Sequence, residues 1–181
     1  MENTATVGTK WAIDPAHSEV QFKVKHLVIS TVTGKFKKFD GEVISENDDF
    51  DGAKINFTID INSIDTNSAD RDNHLKSDDF FAAEKYPNMI FENGVLAKKA
   101  NGDYELTGDL SIRETTKKVT LDVDYNGTVK DPWGNNKAGF ELSGKLNRKD
   151  FGLTWNTITE SGGLLVGEEV KLDISIQLAA A

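Results

Sequence analysis

Three histidines, His17, His26 and His74, have the widest scope for acid–base or metal chemistry in this chain, which contains no cysteine. Asp14, His17 and Ser18 supply the residue types of a nucleophilic triad within five residues. Such a triad needs hydroxyl, base and acid to converge within hydrogen-bond reach. In an extended segment successive side chains point to opposite faces, so these three cannot assemble it unaided. An aspartate turn whose histidine satisfies nearby backbone groups is the simpler reading. Three histidines amid many carboxylates could hold zinc, but no H-E-x-x-H or comparable frame occurs. No catalytic residue, metal site or cofactor is therefore expected. Arg71 and Asp72 beside His74 read as a polar pin. Arg148 with Asp150 reads as an ion pair fixing a turn, or as an arginine facing an anionic headgroup.

Charge narrows the partners. Lys and Arg number 21 against 30 Asp and Glu, a net charge of −9 that repels phosphate backbones and anionic headgroups. No nucleic-acid partner is expected. The basic cluster Lys35, Lys37 and Lys38 around Phe36 and Phe39 reads as a solvated strand edge that discourages aggregation. No apolar run approaches the roughly 20 residues that span a bilayer, so no stable membrane insertion is expected. The start MENTATVGTK lacks the basic and apolar regions of a secretory signal. That favours the cytoplasm, with the periplasm as the alternative for a processed exported protein. A chain of 181 residues suits one domain. Residues 1–10 are expected to form a disordered extension and residues 11–178 a single barrel domain.

The elements that would position these groups are strands. Apolar residues recur at every second place, the pattern of a strand with one buried face. Val20, Phe22 and Val24 alternate with polar residues, as do Ile55, Phe57, Ile59 and Ile61. Similar runs follow around Val32–Val43, Met89–Val95, Leu106–Ile112, Val119–Tyr125, Ala138–Leu146 and Val170–Leu178. The second of these eight strands slips parity at Lys37 and Lys38, as at a bulge. Asn101-Gly102, Asn126-Gly127 and Asp131-Pro132-Trp133-Gly134 read as turns. Short links and the lack of intervening long helices predict an all-β, extended, eight-stranded antiparallel up-and-down barrel rather than a sandwich. Two stretches depart from the pattern. Thr66–Pro87 reads as a short helical cap with Asn67 or Ser68, and then Ser77, as N-caps. Asn147–Glu169 lacks periodicity but carries Phe151, Trp155, Leu164 and Leu165, which disfavour disorder.

Gly34, Gly41, Gly108 and Gly144 share the parity of the inward apolar residues. They either empty the interior or let strands bend and backbones approach. The inward set comprises Val20, Phe22, Val24, Phe36, Ile55, Phe57, Ile59, Phe91, Leu110, Leu121, Phe140 and Leu142, joined by Gly108 and Gly144. Parity alone fits a solid core and a hollow lumen equally well.

Several motifs in order carry a family resemblance. They are Asp14-x-x-His17-Ser18 with Phe22 and His26, Gly34-x-Phe36-x-x-Phe39-x-Gly41, and Arg71-Asp72-x-His74-Leu75 with Asp79-Phe80-Phe81. Tyr86-Pro87-x-x-x-Phe91, Gly108-x-Leu110 and Arg148-x-Asp150-Phe151-Gly152 continue the series. Together they resemble the YceI-like lipid/polyisoprenoid-binding family from about Trp11 to Leu178. The resemblance implies a lipocalin-like barrel with an elongated cavity for a long apolar chain, in some members as a homodimer. It also implies links to stress or isoprenoid quinone metabolism, and many members are exported. The function so implied is non-enzymatic binding, carriage or sequestration of a polyisoprenoid or other long-chain lipid by the inward set. The alternatives are a histidine-dependent enzyme acting on such a lipid, or a filled-barrel dimeric interaction module. Burying about ten methylenes at roughly 0.8 kcal/mol each would give about 8 kcal/mol before ordering costs, near micromolar affinity.

Overall fold

A computed structural model describes residues 8–27, 29–156 and 165–180. The strands are β1 (Thr9–Ile13), β2 (Glu19–His26), β3 (Ser30–Phe36), β4 (Phe39–Ser45), β5 (Lys54–Asp60) and β6 (Ile64–Asp65). Helix α1 (Ala69–Lys76) follows, then β7 (Asn88–Lys98), β8 (Tyr104–Ile112), β9 (Thr115–Lys130), β10 (Asn136–Asn147) and β11 (Val166–Ala180). All pairings are antiparallel, and β1 closes the sheet by pairing with both β4 and β11.

These segments make eight staves, because the first three staves are broken in the middle. β1 and β2 lie end to end along β11, separated by the 3₁₀ turn Pro15–His17. β3 and β4 are interrupted at Lys37 and Lys38, where the sequence pattern slips. β5 and β6 are split by the 3₁₀ turn Ile61–Ser63. A barrel must coil its strands, and each break lets a long stave turn and shift its parity while its apolar residues stay on the inner face. The first break is pinned by Asp14, whose carboxylate accepts from Ala16 N at 3.1 Å and lies 2.9 Å from His17 Nδ1.

The sequence reading needs two corrections here. β1 starts at Thr9, inside the stretch expected to be disordered, with Thr9 paired to Ser45 and Lys10 to Ile44. Without this short strand the edges of β4 and β11 would stay unpaired, and Trp11, buried against Phe50, anchors it. Residues 1–7 lie outside the described residues. Asn126-Gly127 is a bulge within β9, not a turn: Gly127 pairs with Gly139 and Tyr125 with Phe140, leaving Asn126 extra. Gly127 has φ +108°, which a glycine supplies without strain.

The helical cap forms as expected. Ser68 accepts from Arg71 N as N-cap of α1. Ser77, expected as a second N-cap, is instead the C-cap of α1, and its hydroxyl donates to His74 O at 2.6 Å. Arg71 Nε donates to Thr66 Oγ1 at 2.8 Å, while Asp72 Oδ1 accepts from Thr66 N and Oγ1 at 2.9 and 2.6 Å. This pin ties the helix to the end of β6.

Candidate functional site: the barrel lumen

The lumen begins at a sealed end. The loop between β4 and β5 folds inward and places Phe50, 1% exposed, against Trp11, Tyr125 and Phe140 at ring-centroid distances of 5.2, 5.3 and 5.0 Å. Phe50 has φ +65°, an uncommon backbone conformation held here by this aromatic cluster. The Tyr104 hydroxyl donates to Asp49 O at 2.6 Å and fixes the loop to the wall, and burial raises the Tyr104 pKa above its ordinary value. Leu178 and Ala138, opposite each other on β11 and β10, are buried at this end.

Toward the opposite end the same inward parity becomes accessible. On β11, Leu178 is buried, but Ile176, Ile174, Leu172 and Val170 are only half-buried. Their cross-strand partners follow suit, with Phe140 and Val20 buried and Leu142, Phe22, Leu146 and Val24 half-buried. An apolar cavity of about 150 Å³ runs between these walls. Among the described residues, its polar contributors are Gln21, Glu42 and Asn56. A void of that size takes a benzene-sized group, well short of the roughly 300 to 1,000 Å³ of pockets that bury larger ligands.

Of the expected lining, Val20, Phe22, Phe36, Ile55, Phe57, Ile59, Phe91, Leu110, Leu121, Phe140 and Leu142 all border the cavity. Val24 does not, since it lies further out, paired with Val32 and Val170 on the inner face near the mouth. Gly108 and Gly144 do not border it either, and the reason corrects the idea of an emptied interior. A Cβ on Gly108 would strike the Phe91 ring and approach Gly94 Cα at 2.9 Å. On Gly34 it would meet the Phe22 ring, and on Gly41 it would meet Phe57 Cδ1 at 2.9 Å. On Gly144 it would meet a methyl of Leu121. Gly34, Gly108 and Gly144 are thus seats in which a neighbouring side chain folds back against the wall, whereas at Gly41 the atom nearest such a Cβ is the backbone oxygen of Asn56 at 2.5 Å, a close approach of neighbouring strands. Without those seats the same side chains would project further into the void. The sequence reading also missed Ile13, Phe50, Met89, Leu106, Leu146, Leu172, Ile174 and Ile176 as lining. Most of these share the inward parity of strands already recognised, whereas Phe50 sits in a loop with no periodic signal.

The polar candidates lie elsewhere. His17 pairs with Asp14, while His74 Nε2 lies 2.8 Å from Asp79 Oδ2 and its ring meets Phe80 and Trp155 edge-on. Among the described residues, no three His, Asp or Glu side chains gather as metal ligands. Arg148, 5% exposed, makes neither of the interactions expected of it. Its guanidinium donates to four backbone carbonyls, Gly167 at 2.8, Leu153 at 2.6, Trp155 at 2.9 and Val166 at 3.2 Å. Burial lowers its pKa, partly offset by Glu168. The arginine staples the segment after β10 to the start of β11, the turn-fixing role with carbonyls in place of Asp150. Leu164 falls outside the described residues.

A closed eight-stranded antiparallel barrel with an apolar lumen, sealed at one end, defines a lipocalin-like β-barrel. The model of the YceI-like domain matches residues 11–178, and the chain belongs to this family. A UPF0312 protein of Staphylococcus epidermidis is 40% identical over 172 residues, covering 94% of this chain and 98% of its own. Among solved structures, BcnA of Burkholderia cenocepacia superposes with a TM-score of 0.78 at 22% identity, covering 91% of this chain and 98% of that one. A polyisoprenoid-binding domain of Saccharophagus degradans gives 0.70 at 14% identity, covering 94% and 98%. Among the described residues, no helix is long and apolar enough to cross a membrane.

Proposed function

We propose that this protein binds one polyisoprenoid or other long-chain apolar lipid in the barrel lumen and sequesters or carries it without catalysing a reaction. The observation that supports this most is the row of half-buried inward residues Val170, Leu172, Ile174 and Ile176 on β11. Inward apolar side chains left partly wet forgo burial worth about 25 cal/mol per Å², and a lipid chain laid along them would recover it. The family match and the polyisoprenoid-binding domain of like fold support the same reading. A chain longer than the present void enters as side chains that border it change rotamer, a change common on binding. Solvent extraction of purified protein followed by mass spectrometry tests the proposal, with about one long-chain apolar molecule per barrel expected. Repeated extracts without lipid, and no uptake of added polyprenol or fatty amide, would overturn it.

A further inference from the structure

The hairpin joining β2 and β3 projects at the accessible end of the lumen. Leu27 N donates to Leu165 O at 2.9 Å, placing the tip beside the start of β11. Val24 and Val32, which pair across this hairpin, continue the apolar inner wall beyond cavity-lining Phe22. At the tip Ile29 is 84% exposed and Leu27 is also exposed, with φ +55°. A lone exposed aliphatic needs no explanation. This pair, however, sits in a stretch of an acidic chain that has no acid from Val20 to Lys38: Lys23 and Lys25 lie on β2 toward the tip, and of the three lysines beyond Gly34, Lys37 is paired with Asp65 at 3.4 Å.

The outer face beside the hairpin adds an independent observation. Lys171 on β11 lies directly opposite Lys23 on β2 and Lys145 on β10, a row of three like charges in register. Like charges directly opposite are destabilising in a sheet. Lys145 reaches Glu169 at 4.0 Å, and Glu169 and Asp173 are the acids on that face of β11. Lys23 and Lys171 form no ion pair among the described residues. Such a row is relieved by an external layer of negative charge.

We propose that the β2–β3 hairpin docks its end of the barrel on an anionic lipid surface, with Ile29 and Leu27 entering the interface and Lys23, Lys25 and Lys171 facing the headgroups. At about 3.3 Å per residue, Lys25 and Lys23 follow the tip by about 7 and 13 Å, within reach of the headgroup layer once the tip is inserted. The inference rests on the lipid-binding reading and adds the source of the lipid: docking would bring the lumen mouth to the bilayer and let a chain pass without crossing water.

Cosedimentation with vesicles of phosphatidylcholine, with or without an equal part of phosphatidylglycerol, tests the docking. The wild-type protein should sediment with the anionic vesicles and be released by high salt. Ile29→Glu, or Lys23→Glu with Lys25→Glu, should lower the bound fraction about tenfold. Trp133→Ser, removing a residue 82% exposed at the sealed end, should leave it unchanged. Undiminished sedimentation of Ile29→Glu, or a loss on Trp133→Ser, would overturn the inference. Uptake of solanesol from an ethanol dispersion separates this from the function itself. Wild type and Ile29→Glu should take it up equally, whereas transfer from anionic vesicles should slow about tenfold in the variant. If neither protein takes up solanesol from ethanol, the lipid-binding reading fails, whatever the vesicles show.

Discussion

The two ends of the lumen are built from the same strands with the same alternation and serve opposite purposes. At the sealed end Trp11, Tyr125 and Phe140 pack around Phe50, with Leu178 and Ala138 also buried there, and close the floor of the cavity. A few residues along the same strands, Ile174, Leu172, Leu142 and Leu146 still point inward but keep part of their surface accessible. The difference lies in what crosses the axis. At the sealed end a loop delivers an aromatic plug, whereas nearer the mouth glycines let Phe22 and Phe91 lie back against the wall. The hydrophobic effect is spent on folding at one end and held available for a ligand at the other.

Removing the plug should have the largest effect. Phe50→Ala deletes a fully buried ring and should cost about 3 to 5 kcal/mol in denaturant unfolding, while leaving the mouth half of the lumen to bind lipid. Next, Gly108→Ala displaces the Phe91 ring toward the axis and crowds Gly94 Cα, so it should destabilise by about 1 to 3 kcal/mol and weaken lipid uptake. Gly144→Ala meets only a leucine methyl that can rotate away, and should cost under about 1 kcal/mol. Equal losses at the two glycines would undo the distinction between a ring seat and a simple gap. Leu172→Ala, in the accessible half, should change stability of the empty protein by about 1 kcal/mol or less yet reduce polyprenol affinity several-fold. That is the reverse of the Phe50→Ala profile.

The smallest effect is a pH dependence outside the lumen. The His17 hydrogen bond, with help from Ala16 N and Lys137, holds the Asp14 carboxyl below its ordinary 3.8. A carboxylate whose folded pKa is depressed contributes stability that is present above the unfolded value and lost as pH falls through the folded one. Asp14→Asn should therefore melt slightly below wild type at neutral pH, and the gap should close on acidification past 3.8. A gap that persists in acid would mean that the carboxylate charge contributes nothing at this turn.

The eight staves were legible because period-two alternation is a local property, and even the break at Lys37 and Lys38 showed as a slip in parity. Most of the lumen wall followed from the same parity, including Val20, Phe57, Leu121 and Phe140. Parity reports a direction and says nothing of what a neighbour places in the space. For that reason Gly108 and Gly144 were legible as inward but not as seats for Phe91 and Leu121. Phe50 escaped notice because a plug arriving from a loop has no period to betray it. Arg148 was legible as a turn-fixing residue, whereas its carbonyl partners depend on where the chain returns at Val166 and Gly167.

If a lipid chain occupies the accessible half of the lumen, filling that half with a bulky side chain must displace it. Leu142 and Ile174 face each other across β10 and β11 and both line the cavity. Native mass spectrometry of the delipidated protein with solanesol should show one bound molecule per barrel. In Leu142→Trp and Ile174→Trp, variants expected to melt near wild type because the new ring fills void, the bound fraction should fall about tenfold or more. Solanesol bound equally by wild type and both variants, or by none of them, would contradict the account.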